Sequence, residues 1–389
     1  KNHPDYAGPI TRDDLNFMWD TYIAGEFGAA NEPYAEVHAL TGDDRYLDLA
    51  RFFDNRQSLF GACVDNRDIL TLTSETNPGP RRPNRLHANQ HIPNYMGYMR
   101  IFEQSDDEEY LTAARNFFGM VVPYRGYAIG GTGGNFPGSN NNLEQFQNRG
   151  NIANALVQSG AETDTAYNLM RLARNLFFHE PEPAYMDYYE RGLVNQILGS
   201  RADNNNTNNP QVTYFQPLAP GANRSYGNTG TCCGGSGMES HTKYTESVYL
   251  RSADDTTLWV NLYIPSTLRW AERGYTVTQE TGFPRGDQTR LTIDGTGRLT
   301  LGLRVPGWVE RGFEVRINGV RQDLDATPGT YVSIPRNWRA GDRVEVSMPY
   351  GRFVYQVERS RIVPPTATWV TQRVRFDRLI LSACHPLYS

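Results

Sequence analysis

The sequence predicts a mainly α protein with a β domain after it: an (α/α) toroid lacking its first hairpins, then a β-sandwich. Three observations carry this. A helix–acidic turn–helix unit recurs through the first two-thirds of the 389 residues. A glycine-rich stretch holding two adjacent cysteines follows. From about Asp254 the apolar spacing then changes from helical to the short alternating runs of strands. The expected domains are residues 1–252, a toroid, and residues 253–389, a sandwich.

Taken in order, helices are expected over about 26–39, 87–102 and 162–178. In the last, Ala166, Leu169, Met170, Ala173, Leu176 and Phe177 share one face. Each is followed by an acidic turn and a second helix: Asp43-Asp44 before Leu47, Ala50 and Phe53; Asp106–Glu109 before Ala113, Ala114 and Phe117; Glu182 before Tyr189, Leu193 and Ile197. Acidic residues suit a helix start because the N-terminal end of a helix carries partial positive charge. The marker tyrosines Tyr46, Tyr110 and Tyr185 stand 64 and 75 residues apart. Repetition of helical hairpins points to a toroid, in which inner-helix N-termini surround a pocket. A closed six-hairpin toroid needs about twelve helices and roughly seven or eight are legible, so the first hairpins are expected to be missing. A further helix is expected over about 238–250. Strands are expected over 258–264, 289–293, 299–305, 314–317, 331–334 and 343–348, with turns at Asn318-Gly319 and Gly341-Asp342. Strands at this spacing imply a sandwich.

Composition narrows the function classes. A net charge of −5 argues against a nucleic-acid binder, and no apolar run approaches the ~20 residues of a membrane span. Lys1-Asn2-His3-Pro4 does not read as a signal peptide; it looks like the interior of a longer protein or a processed start. The Asn, Gly and Tyr content favours an exported protein. Aromatic residues at 12% suit sugar binding, where ring faces pack on C–H surfaces, and equally suit a packed core. Oligomeric state is not legible. Of four cysteines, Cys63 and Cys384 read as small buried hydrophobes, and the adjacent Cys232-Cys233 pair as reduced or metal-binding.

Four segments could do chemistry. In Thr231-Cys232-Cys233-Gly234-Gly235-Ser236-Gly237-Met238-Glu239-Ser240-His241, thiols just ahead of a helix N-terminus feel its positive end, which favours thiolate. The plainer alternative is a tight turn with two packed thiols. Glu162-Thr163-Asp164 opens an inner helix; alone it reads as N-terminal charge. Glu144, in a polar loop after Gly130–Gly134, reads alone as a solvated residue. That glycine run lacks the spacing of a dinucleotide fingerprint. His87 and His91 share a helix face and could bind zinc, but Ala88 stands where the metalloprotease motif has glutamate. Substrate hydrogen bonding or plain structure fits them better.

Together these segments resemble glycoside hydrolase families 127 and 146, over most of the chain. The resemblance rests on Cys232-Cys233 with Gly237–His241, Lys243 and Tyr244, and on Glu162–Leu169. It is supported by Phe27-Gly28, Asn31-Glu32, Leu40–Asp43, His87-Ala88-Asn89, Leu303–Trp308 and Trp338–Asp342. It implies a retaining β-L-arabinofuranosidase with Cys232 as nucleophile and Glu144 as general acid/base. It also implies a zinc ion held by Glu162, Asp164, Cys232 and Cys233, with Asp164 standing where the family has cysteine. Inner-helix starts place His87, Asn89, Asn31 and Glu32 at the pocket, as candidates for binding substrate hydroxyls. The implied partner is a carbohydrate. Two other readings stay open: a non-catalytic carbohydrate-binding or scaffolding protein on the same fold, and another toroid enzyme such as an unsaturated-glycuronyl hydrolase.

Overall fold

The computed structural model describes residues 11, 29–56, 58–71, 86–134, 144–150, 160–202, 211–219, 221–227, 230–349, 356–364, 366–372, 375 and 380. Phe27-Gly28 and Cys384 lie outside them. The helical hairpins form as the repeat predicts. Helix α1 (Asn31–Thr41) pairs with α2 (Asp44–Arg51), α4 (Ala88–Ser105) with α5 (Glu108–Arg125), and α6 (Thr163–His179) with α7 (Pro183–Gly192); a short α3 (Leu59–Val64) packs on α5.

The acidic turns act as caps. Asp43 accepts from Arg45 N at 3.1 Å, and Asp107 from Glu109 N at 3.2 Å, each satisfying an N–H the helix itself leaves open. Between paired helices the chain reverses through left-handed residues, Gly42 at φ 69° and Asp106 at φ 55°. The expected apolar stripes meet in one core: Tyr95, Ile101, Ala113, Ala114, Phe117, Leu169, Ala173 and Leu176 are all fully buried.

The expected helix over 238–250 is corrected. Helix α8 runs Cys232–Ser240, so the cysteines occupy its first turn instead of preceding it. Thr231 is its N-cap and accepts from Gly234 N at 3.1 Å. The glycines that hid this start have little helix propensity. One of them is required by packing, because a Cβ on Gly237 would lie 2.8 Å from Val212 Cγ2.

Among the described residues ten strands make two facing sheets. One has the order β1 (Tyr249–Arg251), β2 (Thr257–Val260), β6 (Gly297–Val305), β9 (Thr330–Trp338). The other has the order β3 (Ser266–Trp270), β4 (Tyr275–Thr281), β5 (Gln288–Asp294), β10 (Asp342–Ser347), β7 (Glu314–Ile317), β8 (Val320–Arg321). Leu258, Val260, Leu301 and Leu303 of the first meet Val277, Leu291, Ile293, Val344 and Val346 of the second in a separate core. The Asn318-Gly319 turn closes a two-residue hairpin with φ 51° and 81°, as the sequence suggests.

The outer face of the first sheet packs on the helices. Trp259 meets Phe177 edge-on at 5.7 Å. Fully buried Arg304 pairs with Asp187 and, at 2.9 Å, with Glu190 of α7. Trp308 Nε1 donates to Glu190 at 2.8 Å. This explains why β6 is buried on both faces towards its end. Among the described residues no helix is long and apolar enough to cross a membrane.

Candidate active site

Short backbone bridges, not long strands, assemble the site at the N-termini of α4, α6 and α8. His87 bridges Gln145, so Ala88 N donates to Glu144 O at 3.0 Å and Phe146 N to Leu86 O at 2.9 Å. Glu162 bridges Phe215, and Thr163 N donates to Tyr214 O at 2.9 Å. Gln196 Nε2 ties this down by donating to the carbonyls of Ala161 and Glu162, both at 2.9 Å. Glu144 and Ala161 have positive φ, 47° and 53°, without being glycine. Such backbone persists only where its surroundings over-determine it, and it concentrates at functional sites.

Four side chains converge. One donor atom from each of Glu162, Asp164, Cys232 and Cys233 lies within 4.8 Å of every other. Glu162 Oε1 is 3.9 Å from Cys232 Sγ and 3.8 Å from Cys233 Sγ. Glu162, Asp164 and Cys233 are buried, whereas Cys232 is exposed. The pair thus presents one sulfur outward and keeps the other inside.

Burial pushes the Glu162 carboxyl well above the usual range, helped by the charges of Glu144, Asp164 and Cys232. Burial also pushes the Cys233 thiol up. The Cys232 thiol moves the other way: the hydrogen bond from Cys233 stabilises its thiolate, and Tyr214, whose hydroxyl lies 3.3 Å from Sγ, adds to this. Of the two cysteines, the accessible one ionises more easily.

This donor set fits a cation. Two thiols and two carboxylates are acceptable zinc donors. Glu162 Oε2 is buried with no hydrogen-bond partner, the environment in which a buried carboxylate calls for a positive charge. Asp164 is already engaged, since Ser236 Oγ donates to Oδ1 and Asn89 Nδ2 to Oδ2 at 3.1 Å.

Glu144 stands beside this cluster, with its carboxylate 3.0 Å from His87 Nε2. His87 caps α4, its Nδ1 accepting from Gln90 N at 3.3 Å. That bond leaves the ring proton on Nε2, where it is donated to Glu144.

The four candidate hydroxyl-binding residues fare differently. His87 lies at the site but is turned towards Glu144. Asn89 is there too, yet its amide bonds Glu162 Oε1 and Asp164 Oδ2, both at 3.1 Å. Asn31 and Glu32 do not reach the cluster. Asn31 is fully buried against Gly97 and donates to Asn94 O at 2.8 Å, joining α1 to α4. Glu32 pairs with Arg171 of α6. The first turn of α1 is thus engaged in contacts with α4 and α6. His91, the i+4 partner of His87, is buried and bonds back to His87 O at 2.7 Å, away from the donor set. Tyr214 is not singled out by the sequence: it lies at a bend beside the bridged Phe215, in no motif, and only its position 18 residues before Cys232 draws notice.

The comparisons agree with this geometry. The family model for the β-L-arabinofuranosidase GH127 catalytic domain matches residues 7–246, and that for the GH127 middle domain matches residues 257–350. Among solved structures, the chain is similar to a glycoside hydrolase (TM-score 0.64, 18% identity, covering 87% of this chain and 59% of that one). It is similar to a GH127 β-arabinofuranosidase (TM-score 0.63, 24% identity, covering 82% and 51%). A GH127 β-L-arabinofuranosidase from Geobacillus stearothermophilus aligns with TM-score 0.62 at 23% identity, covering 87% and 59%. The chain therefore spans between half and three-fifths of the length of these structures, and at such identities the likeness shows the fold. No curated protein matches the sequence. A catalytic-domain model matched over most of the helical region, and a middle-domain model over most of the sheets, place the chain in the GH127 β-L-arabinofuranosidase family.

Proposed function

We propose that this chain carries the catalytic site of a retaining glycoside hydrolase that releases β-L-arabinofuranosyl or closely related residues from glycans, with Cys232 as nucleophile. The observation that carries the reading is the exposed, readily ionised Cys232 on the first turn of α8, set among Cys233, Glu162 and Asp164. A retaining enzyme needs a nucleophile on one side of the anomeric carbon and a proton donor at the leaving oxygen.

In this reading Cys232 Sγ attacks the anomeric carbon while Glu144 protonates the departing oxygen, leaving a thioglycoside on Cys232. Glu144, now a carboxylate, takes a proton from water as the water attacks the same carbon, and Cys232 leaves as thiolate. His87 holds Glu144 in place through its Nε2 proton. Tyr214 donates to Cys232 when it is ionised. A zinc ion would be held by Glu162, Asp164, Cys232 and Cys233. When bound, its charge lowers thiol pKa values and so supports the thiolate.

The test is covalent trapping with an arabinofuranosyl electrophile, read by mass spectrometry, together with Cys232→Ser and Glu144→Gln. A label on Cys232 is expected, and Cys232→Ser should lose about three orders of magnitude or more in turnover, more than about 4 kcal/mol. Glu144→Gln should cripple substrates with poor leaving groups and spare activated aryl glycosides. Wild-type turnover by Cys232→Ser would end the cysteine mechanism; equal loss on both substrate types would move the acid role to another carboxylate.

A further inference from the structure

The amide of Asn89 makes three contacts and all are with protein. Its Nδ2 donates to Glu162 Oε1 and to Asp164 Oδ2, each at 3.1 Å, and its Oδ1 accepts from Asn168 Nδ2 at 3.0 Å. An amide nitrogen carries two protons, so both are used, and both go to carboxylates. An Asn side chain can turn over and exchange its oxygen for its nitrogen. A turned Asn89 would set its NH2 against the NH2 of Asn168, which is buried, and its oxygen against the two carboxylates. Asn168 lies on α6 four residues after Asp164, and so on the same face of that helix. Asn89 lies on α4. The chain of bonds thus starts and ends on α6 and passes through the neighbouring helix.

We propose that Asn168 is a positioning residue of this site, acting through Asn89 to keep the Glu162 and Asp164 carboxylates side by side. The inference rests on the reading of the four-residue cluster as a metal site and deepens it. Glu162 and Asp164 stand two residues apart at the start of α6, and nothing in the helix backbone itself holds their side chains together. One NH2 group shared between them does so, provided its orientation is fixed from behind. Asp164 has a second restraint in the Ser236 hydroxyl, whereas Glu162 Oε2 has none. Outer hydrogen-bond partners of this kind typically govern about 10–100-fold in metal affinity.

The discriminating substitution is Asn168→Asp. It removes the donor and installs an acceptor, so Asn89 would turn its NH2 towards residue 168 and its oxygen towards the two carboxylates. Asn168→Leu keeps the bulk of the side chain and removes the polar contact alone. Zinc affinity is measured by competition with a chromophoric chelator. The absorption spectrum of the cobalt-loaded protein is recorded alongside, and so is the thermal midpoint of the metal-free protein. Zinc should bind about 10–100-fold more weakly to Asn168→Leu and more weakly again to Asn168→Asp. The cobalt–thiolate absorption should persist, because both cysteines remain, while the ligand-field bands shift. The metal-free midpoint of Asn168→Leu should stay close to wild type.

Wild-type affinity and an unshifted cobalt spectrum in both variants would overturn the positioning role and leave the metal site standing. A metal-free midpoint that falls in step with affinity in Asn168→Leu would also overturn it, because packing alone would then explain the loss. Failure of the unsubstituted protein to bind zinc or cobalt would overturn the metal reading itself.

Discussion

Arg304 and Glu162 are both buried ionisable residues, at 0% and 1% exposure, yet their surroundings are built on opposite plans. Around Arg304 opposite charges meet within the protein: one guanidinium pairs with Asp187 and Glu190, and its Nε donates to Asn261 O at 2.6 Å. Around Glu162 they do not. Its largest electrostatic neighbours are Glu144, Asp164 and Cys232, all of which carry negative charge when ionised, and no Arg or Lys among the described residues pairs with it or Asp164. A cluster that is complete in itself serves architecture, here the joint between helices and sandwich. A buried carboxylate whose neighbours are other acidic groups is the arrangement that the proposed metal site calls for.

The largest expected effect comes from breaking the complete cluster. Arg304→Met leaves Asp187 and Glu190 facing each other without a cation, and should destabilise the fold by about 3–5 kcal/mol. Chemical denaturation of the metal-free protein measures this. A loss below about 1 kcal/mol would mean that water reaches the joint and that the two clusters differ less than their burial implies.

A smaller effect, and of opposite sign, is expected at the incomplete cluster. Glu162 has its pKa raised by folding, so between its unfolded value and its higher folded value the folded state binds more protons than the unfolded one. Stability of the metal-free protein should therefore fall as pH rises above about 4.3, the ordinary glutamate value. Glu162→Gln should flatten that fall and be more stable than wild type at neutral pH without metal. It should also lose zinc affinity. Denaturation at several pH values in the presence of a chelator reads the slope; equal slopes in both proteins would show that the carboxylate is compensated by a group other than a metal.

The smallest effect concerns Asp164. Asp164→Cys replaces an oxygen donor with a softer one and should tighten zinc by about one order of magnitude, roughly 1.4 kcal/mol. The gain is limited because Ser236 and Asn89 lose an acceptor. Looser binding would show that those two hydrogen bonds contribute more than the donor's softness.

The two clusters were also unequally legible. Helical pairs stood out because Tyr46, Tyr110 and Tyr185 follow acidic caps and precede apolar stripes, all within a few residues of one another. Cys232-Cys233 and Glu162 could be singled out by residue type at helix starts. The assembly that brings them together could not, because it consists of single bridges such as His87 with Gln145 and Glu162 with Phe215, across 58 and 53 residues. No periodicity announces one bridge. Strand β4 does not read as a strand for another reason: its inward Gln279, 2% exposed, interrupts the apolar alternation, and its Nε2 donates to carbonyls outside the strand, Leu262 O at 3.0 Å and Ile264 O at 2.7 Å. The ionic joint at Arg304 was invisible as well, since an arginine between Leu303 and Val305 on a strand reads as solvent-facing until a helix covers it.

The outward Cys232 and inward Cys233 also set how the protein meets oxidants. Oxidation follows thiolate character and access, so peroxide should reach Cys232 first and form a sulfenic acid there. Its neighbour is the nearest thiol, but adjacent residues seldom meet the geometry of an ordinary disulfide, which makes that route of rescue a poor one. Further oxidation to the sulfinic acid is then the competing path, and it is irreversible for most proteins. Under the proposed cysteine mechanism, the same exposure that would let a sugar approach the sulfur would make loss of activity on storage in air a one-residue event, and a reductant added early would prevent what one added late does not repair.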